Sequence, residues 1–149
     1  MELSPTTASV YIDRAFDQML AVADRVGEPR INERPLGPTT NAIAALIVHC
    51  CGVAEFWLGH VALAGPSERD REGEFSQTAT LAELDALVAT AKARVRSHLD
   101  ALERGEGRDE GGRQFLDVGD TSDAAVVLHV VEELYQHLGH IELAADALR

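Results

Sequence analysis

Ala42-Ile43-Ala44-Ala45-Leu46-Ile47-Val48-His49-Cys50-Cys51-Gly52-Val53-Ala54-Glu55-Phe56-Trp57-Leu58-Gly59-His60-Val61-Ala62-Leu63-Ala64 is the stretch that decides the fold. It is apolar and exceeds the roughly 20 residues that a helix needs to cross a bilayer. His49, Glu55 and His60 interrupt it, as do Gly52 and Gly59, and no second stretch of this kind occurs. These features read as the central, most buried helix of a soluble bundle rather than as a membrane span.

Three further helices are predicted around it. The first runs from about Pro5 to Val26, with Ser4 as N-cap, Pro5 in the first turn and Gly27 as the stop. Ile12, Ala15, Phe16, Met19, Ala23 and Val26 keep its helical period. A connector punctuated by Pro and Gly, Glu28 to Pro38, leads to Thr39, Thr40 or Asn41 as the cap of the second helix, and Gly65-Pro66 ends that helix. The third opens on a capping box, Thr80-Leu81-Ala82-Glu83, and buries Leu84, Leu87, Val88, Ala91, Val95, Leu99 and Leu102. The fourth starts near Thr121–Asp123 and runs to the C-terminus. No strand pattern of comparable strength competes, so an all-α four-helix bundle in a single domain over residues 1–149 is expected.

Composition narrows the function. Thirteen Lys and Arg stand against 25 Asp and Glu, a net charge of −12 with no basic run, which disfavours nucleic acid and anionic membranes. The two cysteines, Cys50 and Cys51, are adjacent and point about 100° apart on a helix, so they do not pair readily with each other. Without a disulfide framework, and with Met1-Glu2-Leu3-Ser4-Pro5 unlike a signal peptide, a cytoplasmic location is expected.

The chemistry gathers on the fourth helix. His129, Glu133, His137 and His140 are spaced 4, 4 and 3 apart, within about 80° of one another on a helix. Their stripe borders the apolar one of Val127, Val130, Val131, Leu134, Leu138, Ile141, Ala145 and Leu148, while Glu132, Tyr135, Gly139, Glu142 and Asp146 are expected to face water. Glu133 and His137, at i and i+4, can grip one ion. A third ligand must come from another helix, and His49 is the strongest candidate because its surroundings are otherwise apolar. Gly52, about one turn on, would allow a close approach. A His-Glu-His set leaves coordination positions open for water, a thiolate or a substrate oxygen, the pattern of catalytic metal sites. His129 and His140 are candidates for supporting the ligands or handling protons. Arg30 and Arg34, near the entry to the second helix, are candidates for a substrate carboxylate, with plain surface charge as the alternative. His60 lies about 16 Å along the helix from His49 and cannot share its ion. Cys50 and Cys51 read as small core residues.

Three motifs carry a family resemblance: His49-x5-Glu55-x-Trp57, then Asp70-Arg71-Glu72-Gly73-Glu74-Phe75, then Glu132-Glu133-Leu134-Tyr135-Gln136-His137-Leu138-Gly139-His140. In this order they resemble the DinB superfamily, and most closely the actinobacterial branch that includes the N-terminal domain of mycothiol-dependent maleylpyruvate isomerase. The resemblance implies an up-down-down-up four-helix bundle with a long crossover between helices 2 and 3, here Gly65 to Ala79. It also implies a divalent metal, zinc first with nickel or iron as alternatives, and a low-molecular-weight thiol such as mycothiol. Glu133 stands where the commonest family triad has histidine and looks like the His-Glu-His version, so the implied ligands are His49, Glu133 and His137. The isomerase's second domain has no counterpart in these 149 residues, so isomerisation itself is not expected.

The first functional expectation is a metal-dependent thiol S-transferase acting on an electrophilic small molecule. A metal-dependent hydrolase of small esters or amides is the second. A non-catalytic helical bundle that binds metal or ligand, as a homodimer, is the third.

Overall fold

The computed structural model describes residues 3–149; Met1 and Glu2, the start of the stretch read as lacking a leader, lie outside it. The described residues are all-helical, with five helices and no strand. They are α1 (Pro5–Val26), α2 (Ile43–Ala54), α3 (Arg71–Glu74), α4 (Leu81–Glu103) and α5 (Asp123–Ala147). A π-helical segment, Glu55–Ala62, continues α2, and 3₁₀ turns occupy Arg30–Asn32 and Arg113–Leu116.

Local chemistry explains most boundaries. Ser4 Oγ accepts from the Thr7 amide at 3.1 Å, and Gly27, at φ 76°, closes α1 with its own N–H on the Ala23 carbonyl. Thr80 and Glu83 form the reciprocal capping box of α4. Ser122 caps α5 through the Ala125 amide. The entry to α2 departs from expectation. None of Thr39, Thr40 or Asn41 caps it: Ala42 is the N-cap, without a side-chain bond, and Thr40 Oγ1 donates instead to the Gly37 carbonyl. Here tertiary packing starts the helix, since Ala42 to Ile47 are all buried.

α1 packs on α4 and α5, and α2 on the same two. Ion pairs of Asp13 with Arg96 and of Asp17 with Lys92 lace α1 to α4. The shared core contains Phe16, Ile12, Met19, Ile47, Leu84, Leu134 and Ile141, all fully buried. Each such side chain contributes about 1.5–3 kcal/mol by leaving water. The apolar α2 and its π extension meet the length and composition of a membrane span, yet most of that stretch is buried among the other helices. Two faces differ from the periodic reading. Leu87 stays exposed, and Tyr135 is half-buried against the core, its hydroxyl donating to the Tyr11 carbonyl at 3.1 Å.

A smaller cluster of Ala62, Leu116, Ala125 and Val126 lies where the glycine-rich loop meets α5. Buried Arg113 holds it together: its guanidinium donates to the carbonyls of Ala62, Arg108 and Thr121 and pairs with Asp123 at 2.7 Å. Replacing Arg113 with Ala strands these acceptors. Chemical denaturation of Arg113→Ala is expected to show a loss of about 2–4 kcal/mol in unfolding free energy.

Candidate metal centre

His49 sits in mid-α2, its ring 2 % exposed. Glu133 and His137 rise from α5 one turn apart, with His137 Nε2 3.6 Å from Glu133 Oε2. One potential ligand atom from each of the three lies within 4.8 Å of the others. Bonds of about 2.0–2.2 Å to a tetrahedral ion put ligand atoms roughly 3.4 Å apart. Small side-chain rotations close that difference. Buried His137 Nδ1 has no hydrogen-bond partner, a stranded polar atom of the kind a site completed by a bound group leaves behind. The donor set fits a divalent ion.

The segment between the π extension and α4 locks the first of these residues. Glu74 Oε2 lies 2.8 Å from His49 Nδ1. Arg69 donates to the same carboxylate twice, Nε to Oε1 at 2.7 Å and a terminal nitrogen to Oε2 at 2.9 Å. That terminal nitrogen is also 3.3 Å from His49 Nδ1. A guanidinium only donates, so the carboxylate is the acceptor that places the His49 proton on Nδ1. Nε2 is then left with its lone pair. This is the carboxylate–histidine arrangement that orients a metal-ligating imidazole and raises its basicity.

Gly52 makes the arrangement possible. A Cβ at that position would meet the Glu74 carboxylate, at 2.2 Å from Oε1. The glycine of α2 is therefore the space that Glu74 occupies. Phe75 stacks on the His49 ring at 4.4 Å, and His137 meets that ring edge-on at 4.7 Å. Burial pushes the His49 imidazole below its ordinary value of 6.5, against the opposing pull of Glu74. Burial also lowers His137, helped by the neighbouring His49 and His140. Both are held as neutral donors at neutral pH.

The other candidates fall elsewhere. His140, exposed, has its ring 5.8 Å from that of His137. His129 turns to Trp57, edge-on at 4.4 Å, and to Glu132 at 3.6 Å. Neither His129 nor His140 bonds to His49 or His137; the group that bonds to His49 is Glu74. Arg34 donates to the carbonyls of Pro38 and Phe75, so it fastens the segment that carries Phe75. Arg30 is exposed on its 3₁₀ turn and has no side-chain partner among the described residues. The arginines beside the site are Arg69 and Arg71. His60 is exposed, its Nδ1 2.6 Å from the Gly65 carbonyl. Glu55 lies on the rim, facing His98 at 3.2 Å and Arg94 at 3.4 Å. Cys50 and Cys51 are free and buried; burial pushes the Cys51 thiol up to about 12 and the Cys50 thiol well above its usual range. Neither can act as a thiolate near neutrality.

The lowered imidazoles set a pH dependence. Below about pH 6.5 the unfolded chain binds protons at His49 and His137 that the native chain refuses, so stability present above that pH is lost as pH falls. For chelator-treated protein, melting temperature is expected to fall between about pH 7 and 5. His49→Gln and His137→Gln should each flatten that slope. A slope unchanged in both variants would place the titration elsewhere.

Neither the curated proteins nor the solved structures include a match to this chain. Residues 7–149 match the family described as mycothiol-S-transferase. That match takes in most of α1, all of α2 through α5 and every residue of the His49–Glu133–His137 cluster, and the family lies in the DinB-like superfamily: the chain belongs to the mycothiol-S-transferase family.

Proposed function

We propose that this protein transfers the sulfur of a low-molecular-weight thiol, mycothiol in the first instance, to an electrophilic small molecule. In this reading His49, Glu133 and His137 hold a divalent ion, zinc before nickel or iron. The observation that carries it is the convergence of these three side chains, with His49 Nε2 freed by the Glu74 bond on Nδ1. Family membership supports the mycothiol-related chemistry.

A divalent cation at this position supplies the positive charge that favours thiolate over thiol, against a free thiol pKa of about 8.5. The chain's own residues do the rest. Two neutral imidazoles and one carboxylate bring a single negative charge, too little to quench a dication. Glu74 and Phe75 hold the His49 ring in one orientation. In this reading His140, exposed beside His137, carries the thiol proton to solvent. The sulfur then forms the new C–S bond with its electron pair. The pair released leaves with the displaced group, or is protonated where a double bond has opened. Since Cys50 and Cys51 remain protonated, the nucleophile comes from the bound thiol.

The rest of the reading follows the same family. The helices form one DinB-like up-down-down-up bundle over residues 1–149, with the 65–79 crossover. The pairs Asp13–Arg96 and Asp17–Lys92 support it, since register rising on α1 and falling on α4 marks opposed helices. The protein works in the cytoplasm, where thiols stay reduced, and the exposed Val10, Tyr11 and Leu128 suit a homodimer contact.

Metal analysis of the purified protein is the direct test. About one zinc per chain is expected for the parent and almost none for His49→Ala or His137→Ala. Full metal content in both variants, or none in the parent, rejects the site. Glu74→Gln should bind zinc about 10–100-fold more weakly. Turnover should require the thiol; equal turnover in thiol-free buffer would point to ester or amide hydrolysis.

A further inference from the structure

Of the two arginines beside the triad, Arg69 is spent on Glu74. Arg71 is different. It opens α3, three residues before Glu74, and its side chain is exposed. Among the described residues no carboxylate lies within ion-pair distance of it, in a chain with 25 acidic residues to choose from. Its guanidinium carbon stands 5.7 Å from the centre of the Phe75 ring. Phe75 in turn stacks on His49 at 4.4 Å. The positive charge thus rests on an aromatic ring that also stacks on the imidazole of the triad.

This placement has a chemical meaning. A guanidinium offers planar, paired donors suited to a carboxylate, and an unpaired one beside a half-buried cluster attracts anions in an otherwise acidic protein. We propose that Arg71 determines substrate specificity by binding a carboxylate on the electrophile, so that the preferred acceptor is an anionic small molecule. The thiol would not need this cation, because the divalent ion that the triad would hold would meet its negative charge. The role as acceptor site rests on the thiol-transfer reading; the anion site itself does not.

Succinate, which is unreactive, is the binding probe. Titrated calorimetrically into the full-length protein, with and without added zinc, it should bind the parent at least about tenfold more tightly than Arg71→Met, the low end for a charge-assisted bond. Arg71→Lys should recover part of the difference. Equal affinity of parent and Arg71→Met, or no succinate binding by the parent, overturns the proposal.

A kinetic arm compares monomethyl fumarate with dimethyl fumarate as acceptors. The ratio of kcat/KM for acid over ester should fall about tenfold in Arg71→Met, through KM and with zinc content retained. An unchanged ratio overturns the role in specificity. A protein that binds succinate through Arg71 but transfers no thiol to either acceptor would refute the proposed function and leave the anion site standing.

Discussion

The carboxylate of Glu74 is the contact on which the candidate centre depends. It accepts from Arg69 on one side and from His49 Nδ1 on the other, and it fills the notch left by Gly52. Both charged partners are largely buried, 14 % and 12 % exposed, so removing either would leave the other poorly solvated. Through this contact a loop segment with little secondary structure is pinned to the most buried helix. Phe75 follows onto the His49 ring, and Arg34 secures its carbonyl from the connector after α1. One interaction therefore orients the His49 ring, docks the 65–79 segment and brings Phe75 and Arg71 with it.

Electrostatics at the centre run against the character of the chain. A protein of net charge −12 has gathered two neutral imidazoles, the two carboxylates of Glu133 and Glu74, and two arginines near one another. Desolvation keeps the imidazoles unprotonated, which is what a metal or a neutral hydrogen-bond network requires of them. The same burial disables Cys50 and Cys51 as nucleophiles. Neither sulfur of the chain is thereby available as a thiolate near neutrality.

Periodicity and caps made the helices legible. Ser4 with Gly27, the Thr80–Glu83 box and Ser122 mark ends that depend on a few neighbouring residues, and such local bonds are visible in sequence. Other features were hidden because they join distant positions. The π-helical run at Glu55–Ala62 has the same apolar pattern that an α-helix would have. Arg113 looks like one more charge in a polar loop until its three carbonyl partners, from Ala62 to Thr121, are seen together. The helical angle of Tyr135 points it to water, yet α1 supplies the carbonyl that holds it.

The amino-acid sequence by itself determined the helical class and the largely buried character of residues 42–64, because apolar period and capping are local facts; spacing offered the His129–His140 stripe and His49, and the family resemblance singled out Glu133 and His137 within it. Tertiary structure decided that Glu74 orients His49, that His129 turns to Trp57, and that Arg71 lies against the Phe75 ring that stacks on His49. The physical reason is that each of these depends on how the 65–79 segment docks or on how α2 and α5 face each other. Such docking is set by close packing and buried charge between residues far apart in the chain.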